Sequence, residues 1–253
     1  QAVINIDDPY GRRLADEHPD SWTVSFCRPA RIRASEIDIR ADGLNFLLDI
    51  DGRKQRLSAP LCGEHNLYNL LFALGGIACL DLDPFDFLEG VPHLTLPEGR
   101  WMVIGNSPTV VVDFAHSPDS FEQVLKLASR VAKGKIITVF GCTGNRDRKK
   151  RPIMGEIVSR YSQFTVLTTD SPGGEDPELI TAETLPGIHI PYLVEHDREK
   201  AIAAAIEMAE VDDLVLILGR GHEAIFDYGA YTIPLYDPEV ARRCWEKRHR
   251  NLI

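Results

Sequence analysis

The stretch TVVVDFAHSPDSFEQVLKLASRVAKGKIITVFG, Thr109–Gly141, decides the fold. TVVVDF and IITVFG read as strands on either side of SFEQVLKLASRVA, which reads as a helix. Near-continuous apolar runs such as VVV and IITVF are what strands covered on both faces look like. Two such strands joined through a helix run parallel in one sheet. The alternation continues beyond Gly141. KRPIMGEIVSRYS, PELITAETL, REKAIAAAIEMA and PEVARRCWEKRH read as helices, and FTVLTTD, IPYLVEH and LVLILG as strands. An α/β fold with a right-handed, doubly wound, mostly parallel sheet is expected. No internal repeat or low-complexity segment interrupts it.

Before this region the texture differs. AVINI is a short apolar strand, DDPYGRRLADEH a loop and helix, and WTVSFC a second strand. IRASEIDIRADGLNFLLDIDGRKQRLSAP alternates polar and apolar residues, with ADG and IDG as turn signals, so a small antiparallel meander is expected. Leu67, Leu70, Leu71 and Leu74 of GEHNLYNLLFALGGIACLDL recur at helical spacing and mark a buried helix face. FDFLEG is a short helix, and VPHLTLPEGR a loop rich in Pro and Gly. The boundary falls near residues 93 to 99, giving expected domains 1–97 and 98–253.

Composition narrows the function classes. Of the 253 residues, 44% are hydrophobic and 26% charged, the balance of a soluble globular protein. A net charge of -10 argues against a nucleic-acid backbone as partner. Five cysteines, Cys27, Cys62, Cys79, Cys142 and Cys244, are widely spaced without a CxxC, which reads as reduced thiols rather than a zinc site. No apolar run approaches the roughly 18 residues of a membrane span. QAVINIDD opens in a strand pattern with no Met, basic n-region or apolar h-region, so no signal peptide is visible and a piece of a longer chain is expected.

Doubly wound sheets gather ligands at the carboxyl ends of their strands. Here those ends carry DFAHSPD, GCTGNRDRKKRP, DSPGGED and GRGHE: glycines together with Asp113, His116, Arg146, Asp147, Arg220, His222 and Glu223. The combined picture is a polar cleft of mixed charge, suited to a zwitterionic or phosphorylated ligand. Individual residues keep two readings. Arg146 and Lys149–Arg151 face an anion or form a solvated basic helix start. Asp113 binds ribose hydroxyls or caps the next helix. His116 and His222 are ligand groups or satisfied turn residues. His65, Asn66 and Asn69 share a helix face that reads a purine edge or bonds a neighbouring loop. In TVLTTDSPGGEDPELI, Thr165–Ile180, the acids exceed what a turn needs. Glu175 and Asp176 either meet a cationic group or stabilise a helix N-terminus. No P-loop of the form GxxxxGK[ST] occurs in the chain.

Taken together, GEHNLYN, PEGR, VVDFAHSPDS, VFGCTGNRDRKKRPIMGEI, TTDSPGGEDP and LGRGHE resemble the Mur ligases in order and spacing, most nearly the members that add the third residue of the peptidoglycan precursor. QAVINIDDPYGRRL resembles that family's central domain. The resemblance covers essentially the whole chain. It implies a C-terminal, Rossmann-like, amino-acid-binding domain preceded by the end of a central ATPase domain. It also implies that the UDP-binding domain, the Lys-bearing P-loop and the carbamylated lysine that helps hold magnesium belong to N-terminal parts of the same polypeptide, so the fragment is expected to be inactive alone. The implied activity is ATP- and Mg2+-dependent amide formation through an acyl-phosphate, joining an amino acid to a UDP-MurNAc-dipeptide in the cytoplasm. Neither nucleic acid nor membrane is an implied partner.

By the same resemblance, Asn69, Arg100, Asp113 and His116 are the ATP-binding candidates: adenine, phosphates, ribose and its vicinity. Arg146, Asp170, Ser171, Gly173, Gly219 and Glu223 are the amino-acid candidates, with Arg146 on the α-carboxylate. No catalytic or metal-ligating residue is assigned within the chain. Diaminopimelate-using members usually read Asp-Asn-Pro-Arg where this chain has DSPG, Asp170–Gly173. Gly173 has no side chain to pair with a second carboxylate, so L-lysine or L-ornithine stands beside meso-diaminopimelate. For an amine-ended substrate, Asp170, Glu175, Asp176 and Glu223 are the candidate acids; for diaminopimelate, Arg220 is an alternative partner. PEGRWM lacks the acid that usually follows the Arg by two residues. Two other function classes stay open: another ligase of the superfamily, such as one adding glutamate to folate, and a non-catalytic nucleotide-like binding module.

Overall fold

Residues 1–250 are described by the structure, a computed structural model. They divide into two units, Gln1–Leu96 and Pro97–Ile253.

The first unit runs β1 (Val3–Asn5), α1 (Pro9–Glu17), β2 (Trp22–Ser25), β3 (Ile32–Arg40), β4 (Gly43–Ile50), β5 (Arg53–Ala59), α2 (Glu64–Cys79) and a 3₁₀ segment, Pro84–His93. Its sheet keeps sequence order, with β1, β2 and β3 parallel and β3, β4 and β5 antiparallel. The IDG signal becomes a two-residue hairpin turn, because Asp51 at φ 46° and Gly52 at φ 88° supply the left-handed values such turns require. Leu44, Phe46, Leu48 and Ile50 alternate along β4 and share one core with Leu67, Leu70, Leu71 and Leu74 of α2. Gly75 lets α2 pack close to β1, since a Cβ there would lie 2.6 Å from Val3 Cγ1. At the end of β1, Asp7 accepts hydrogen bonds from Ser25 Oγ at 2.7 Å, Phe26 N at 2.7 Å and the Tyr68 hydroxyl at 2.6 Å. Burial pushes this carboxyl up, but the bonds from Tyr68, Phe26 and Ser25 outweigh it and hold it below the ordinary carboxylate value.

The second unit runs β6 (Met102–Gly105), β7 (Thr109–Asp113), α3 (Pro118–Val131), β8 (Ile136–Phe140), α4 (Lys150–Tyr161), β9 (Phe164–Leu167), α5 (Pro177–Thr184), β10 (Tyr192–Val194), α6 (Arg198–Met208), β11 (Leu214–Leu218), β12 (Ile225–Asp227), β13 (Thr232–Pro234) and α7 (Asp237–Arg250). The sheet order is β10-β9-β8-β11-β7-β6, parallel except for β6 at one edge. This is the expected doubly wound α/β sheet. Val110, Val112, Ile137, Val139, Val215 and Ile217 pack on α6 and α7. On the opposite face Phe140 meets Phe121 of α3 edge-on at 5.4 Å. The chain returns to place β11 between β8 and β7, and doubly wound sheets take their ligands at the carboxyl ends of the strands beside such a reversal. Strand β6, of four residues, and the β12–β13 hairpin, of three each, go beyond the sequence reading. No helix among the described residues is long and apolar enough to cross a membrane.

Candidate functional site

The loops after β8, β9 and β11 in the second unit are bonded into one assembly. Thr143 and Asp170 form an isolated parallel bridge beyond the ends of β8 and β9. Gly144 N donates to Ser171 O at 3.1 Å, and Asn145 Nδ2 to Gly173 O at 2.5 Å. From β11, Gly219 N donates to Asp113 O at 3.2 Å, linking the end of β7. The β12–β13 hairpin seats on the same assembly through Gly173 N, which donates to Asp227 O at 3.1 Å. Glycines make these approaches possible. A Cβ on Gly219, whose φ is 117°, would lie 2.5 Å from Asp170 Oδ2, and one on Gly141 would lie 3.0 Å from Asp170 N.

Within this assembly the candidate residues differ in accessibility. Arg146 is exposed, and no described residue pairs with it. Glu223 is exposed too, with one carboxylate oxygen 3.8 Å from Arg220. Asp170, by contrast, is 3% exposed. Burial drives its carboxyl above the ordinary value, partly offset by the Arg198 and Arg220 guanidiniums. Ser171 Oγ accepts from Arg220 at 2.8 Å and from Asp227 N at 3.3 Å. Gly173 and Gly174 follow with φ 58° and 92°. Arg220 is fully buried and also donates to the carbonyls of Glu223, Ile225 and Leu235. It is therefore an internal brace, which answers the alternative that gave it a substrate carboxylate. Asp176 caps α5 through Glu178 N at 2.9 Å, while Glu175 pairs with Arg151, so neither acid is left over for an external cation.

A second cluster lies at the end of β7. The Phe114 ring is approached by the Arg100 guanidinium at 5.0 Å, the His116 ring at 4.6 Å and the His222 ring at 4.9 Å. Gly221 allows this, since a Cβ there would lie 2.6 Å from Phe114 Cβ. All three of these outer groups are exposed. An arginine and two imidazoles around one ring suit phosphate oxygens or the face of a heterocycle. Lys150 Nζ, donating to His116 O at 3.1 Å, ties this cluster to the start of α4. Asp113 is buried beside it, and its two oxygens accept Trp101 N at 2.7 Å and Ala115 N at 2.8 Å. Helix α3 is capped by Ser117 in a capping box with Ser120, so the capping role weighed for Asp113 falls to Ser117. Asn69 belongs to the first unit, exposed on α2, with its Nδ2 3.4 Å from Asn66 Oδ1. Asn66 in turn donates to Cys62 O at 2.7 Å, bonding the preceding loop as one of its two readings held. Among the described residues no group of three or more His, Cys, Asp or Glu is placed to hold a metal ion.

Sequence reasoning missed Arg151, Arg198 and Asp237. All three are fully buried, and Arg151 is no part of a solvated basic face. Their acids lie 24 to 39 residues away in sequence, which leaves no local signal.

Comparison with known proteins places these features. A family model described as "Mur ligase, glutamate ligase domain" matches residues 99–221, and one described as "Mur ligase middle domain" matches residues 1–77. UDP-N-acetylmuramoyl-L-alanyl-D-glutamate--2,6-diaminopimelate ligase of Clostridioides difficile (strain 630) is 36% identical over 254 residues, covering 97% of this chain and 52% of the relative. The ligase of the same name from Synechococcus elongatus is 39% identical over 255 residues, covering 98% and 51%. A solved structure of a ligase of that name superposes with a TM-score of 0.75 at 31% identity, over 98% of this chain and 54% of that one. MurF ligase from Thermotoga maritima in complex with ADP gives a TM-score of 0.64 at 15% identity, over 99% and 54%, a likeness of fold alone. The chain spans about half the length of the curated relatives it matches.

Proposed function

We propose, since this chain belongs to the Mur ligase family, that the protein carrying it joins a diamino acid to UDP-N-acetylmuramoyl-L-alanyl-D-glutamate at the expense of ATP. The observation that carries this reading is the bonding of the loops after β8, β9 and β11 into one assembly, with Arg146 exposed and unpaired among the described residues and Glu223 exposed beside buried Arg220. An α-amino acid presents a carboxylate and an ammonium. Arg146 offers a guanidinium fork for the first, and Glu223 an acid for the second. The missing Cβ at Gly219 lets the Asp170 carboxylate close against the sheet edge. ATP supplies the phosphoryl group that activates the acceptor carboxylate. Within this unit Arg100 is the group for its phosphates and Asp113 for its ribose, with His116 nearby. The reading also carries magnesium, bound by parts of the protein other than the residues described here.

The loop after β9 carries no cationic side chain for a second carboxylate, and on that ground a substrate whose far end is an amine, L-lysine or L-ornithine, is preferred. Ser171 Oγ accepts from Arg220 and Asp227, which leaves its hydroxyl proton as the one donor, and Gly173 has no side chain, so the pair lacks the cationic group that a second carboxylate calls for. A second reading, meso-diaminopimelate, is favoured by the names of the relatives. The deciding assay supplies the full-length protein with the UDP-precursor, ATP, magnesium and one amino acid at a time, and follows phosphate release. Release with lysine or ornithine is expected. Strict use of diaminopimelate refutes the loop argument, and no release with any amino acid refutes the ligase reading. Ser171→Asn with Gly173→Arg is expected to raise diaminopimelate use; an unchanged preference counts against the loop.

A further inference from the structure

Arg151 stands in the first turn of α4, in a run of cations, yet its side chain is fully buried. One terminal nitrogen donates to Glu175 at 2.5 Å and the other to Glu183 at 2.7 Å. Arg148 reaches the same Glu183 at 2.8 Å. The Arg151 Nε has no partner among the described residues. Burying a guanidinium is costly, and the cost is offset only where carboxylates meet it in good geometry. A loop serving only as a connection would not need such a group beneath it.

The position of the pair is informative. Glu175 ends the loop that Ser171 begins, and Ser171 is held by Arg220, also fully buried. Two interior guanidiniums thus hold the loop at its two ends. Between them lie Gly173 and Gly174, residues with the greatest backbone freedom. Arg151 also follows directly on the loop that carries Arg146. Its ion pair therefore joins the element bearing the proposed α-carboxylate ligand to the element facing the substrate side chain. Thr143–Asp170, Gly144–Ser171 and Asn145–Gly173 span the same two loops nearer the sheet.

We infer that Arg151, acting through Glu175, is a positioning residue that fixes the Ser171–Asp176 loop against the Gly141–Asp147 loop and thereby sets affinity for the incoming amino acid. The affinity half of this inference rests on the function proposed above; the loop half does not. In the full-length protein, Glu175→Gln removes the charge while Arg151 keeps Glu183, and Arg151→Lys keeps the charge while losing the two-pronged geometry. Both variants are expected to speed amide hydrogen exchange at Gly173 and Glu175 about tenfold. They are also expected to raise the amino-acid KM about tenfold, with the KM for ATP and kcat within about threefold of wild type, because misplacing a binding group by a fraction of an ångström has effects of this order. Unchanged exchange in both variants overturns the inference. So does a proportionate fall of kcat and rise of every KM, which marks a merely structural role. A wild type without amino-acid-dependent phosphate release sinks the proposed function instead, and the exchange rates still decide whether Arg151 holds the loop.

Discussion

Asp237→Asn tests the interior of the second unit most directly. Arg198 at the start of α6 and Asp237 at the start of α7 are both 0% exposed. Two guanidinium nitrogens donate to the two carboxylate oxygens at 2.9 and 2.7 Å, and one of them also reaches Leu218 O at 2.9 Å. The substitution keeps the shape and one acceptor oxygen but takes from the buried guanidinium its hydrogen-bonded carboxylate, leaving the more distant Asp170 and Glu223 as its counter-charges. Removing one partner of a buried pair costs about 3–5 kcal/mol, and the retained oxygen places this change near about 3 kcal/mol. With a urea dependence of about 2 kcal/mol per molar, the unfolding midpoint falls by about 1.5 M. The assay is urea unfolding followed by tryptophan fluorescence in a Trp22→Phe background, which leaves Trp101 and Trp245, both in the second unit. Arg198→Met with Asp237→Leu, which removes both charges, is expected to recover most of the loss, since apolar replacement of a whole buried pair is often neutral. A midpoint for Asp237→Asn within about 0.3 M of wild type, or a double variant no more stable than the single one, would refute this reasoning.

Three further outcomes follow from the same geometry. Gly219→Ala places a methyl against Asp170 in a backbone conformation that resists one, so amino-acid-dependent phosphate release should fall at least about a hundredfold; near-normal release would mean the strand end shifts freely. Asp7, whose carboxyl is held below its ordinary value, contributes stability that is present above the unfolded carboxylate value of about 3.9 and is lost as pH falls through the lower folded one. Asp7→Asn should therefore weaken the first unit at pH 7 and flatten its loss of stability toward pH 3, read by Trp22 fluorescence; a variant with the wild-type acid slope contradicts this. Burial pushes the Cys142 thiol up to about 11 and the Cys62 thiol to about 12, so iodoacetamide at pH 8 should label exposed Cys27 and spare both until denaturant is added, as mass spectrometry would register.

How far the sequence reaches is clear from particular residues. Strands β7, β8 and β11 are legible because burial on both faces makes their runs almost wholly apolar, and β4 because burial on one face makes alternate residues apolar. The strand-end rule points to the loops that carry Arg146 and Glu223, and the resemblance adds Asp170 and Gly219. What it does not reveal is which charges turn inward. Arg146 and Arg151 stand five residues apart in one basic run, yet one is exposed and the other fully buried. That difference depends on Glu175 and Glu183, and pairings over such separations leave no mark on local pattern. Ser171 is similar: a serine in a turn gives no sign that its hydroxyl is committed to an arginine 49 residues away.

The two-glycine tip at Gly173 and Gly174 gives the protein a replaceable part. Its foundations are set in the interior, while the residues that would face a ligand carry almost no bulk. Only the outer glycine is open to change: an added Cβ at Gly174 meets nothing within 4 Å, although its φ of 92° narrows the choice. Pro172 is buried and Gly173 is bonded to both Asp227 and Asn145, so a small library belongs at the second glycine of the tip.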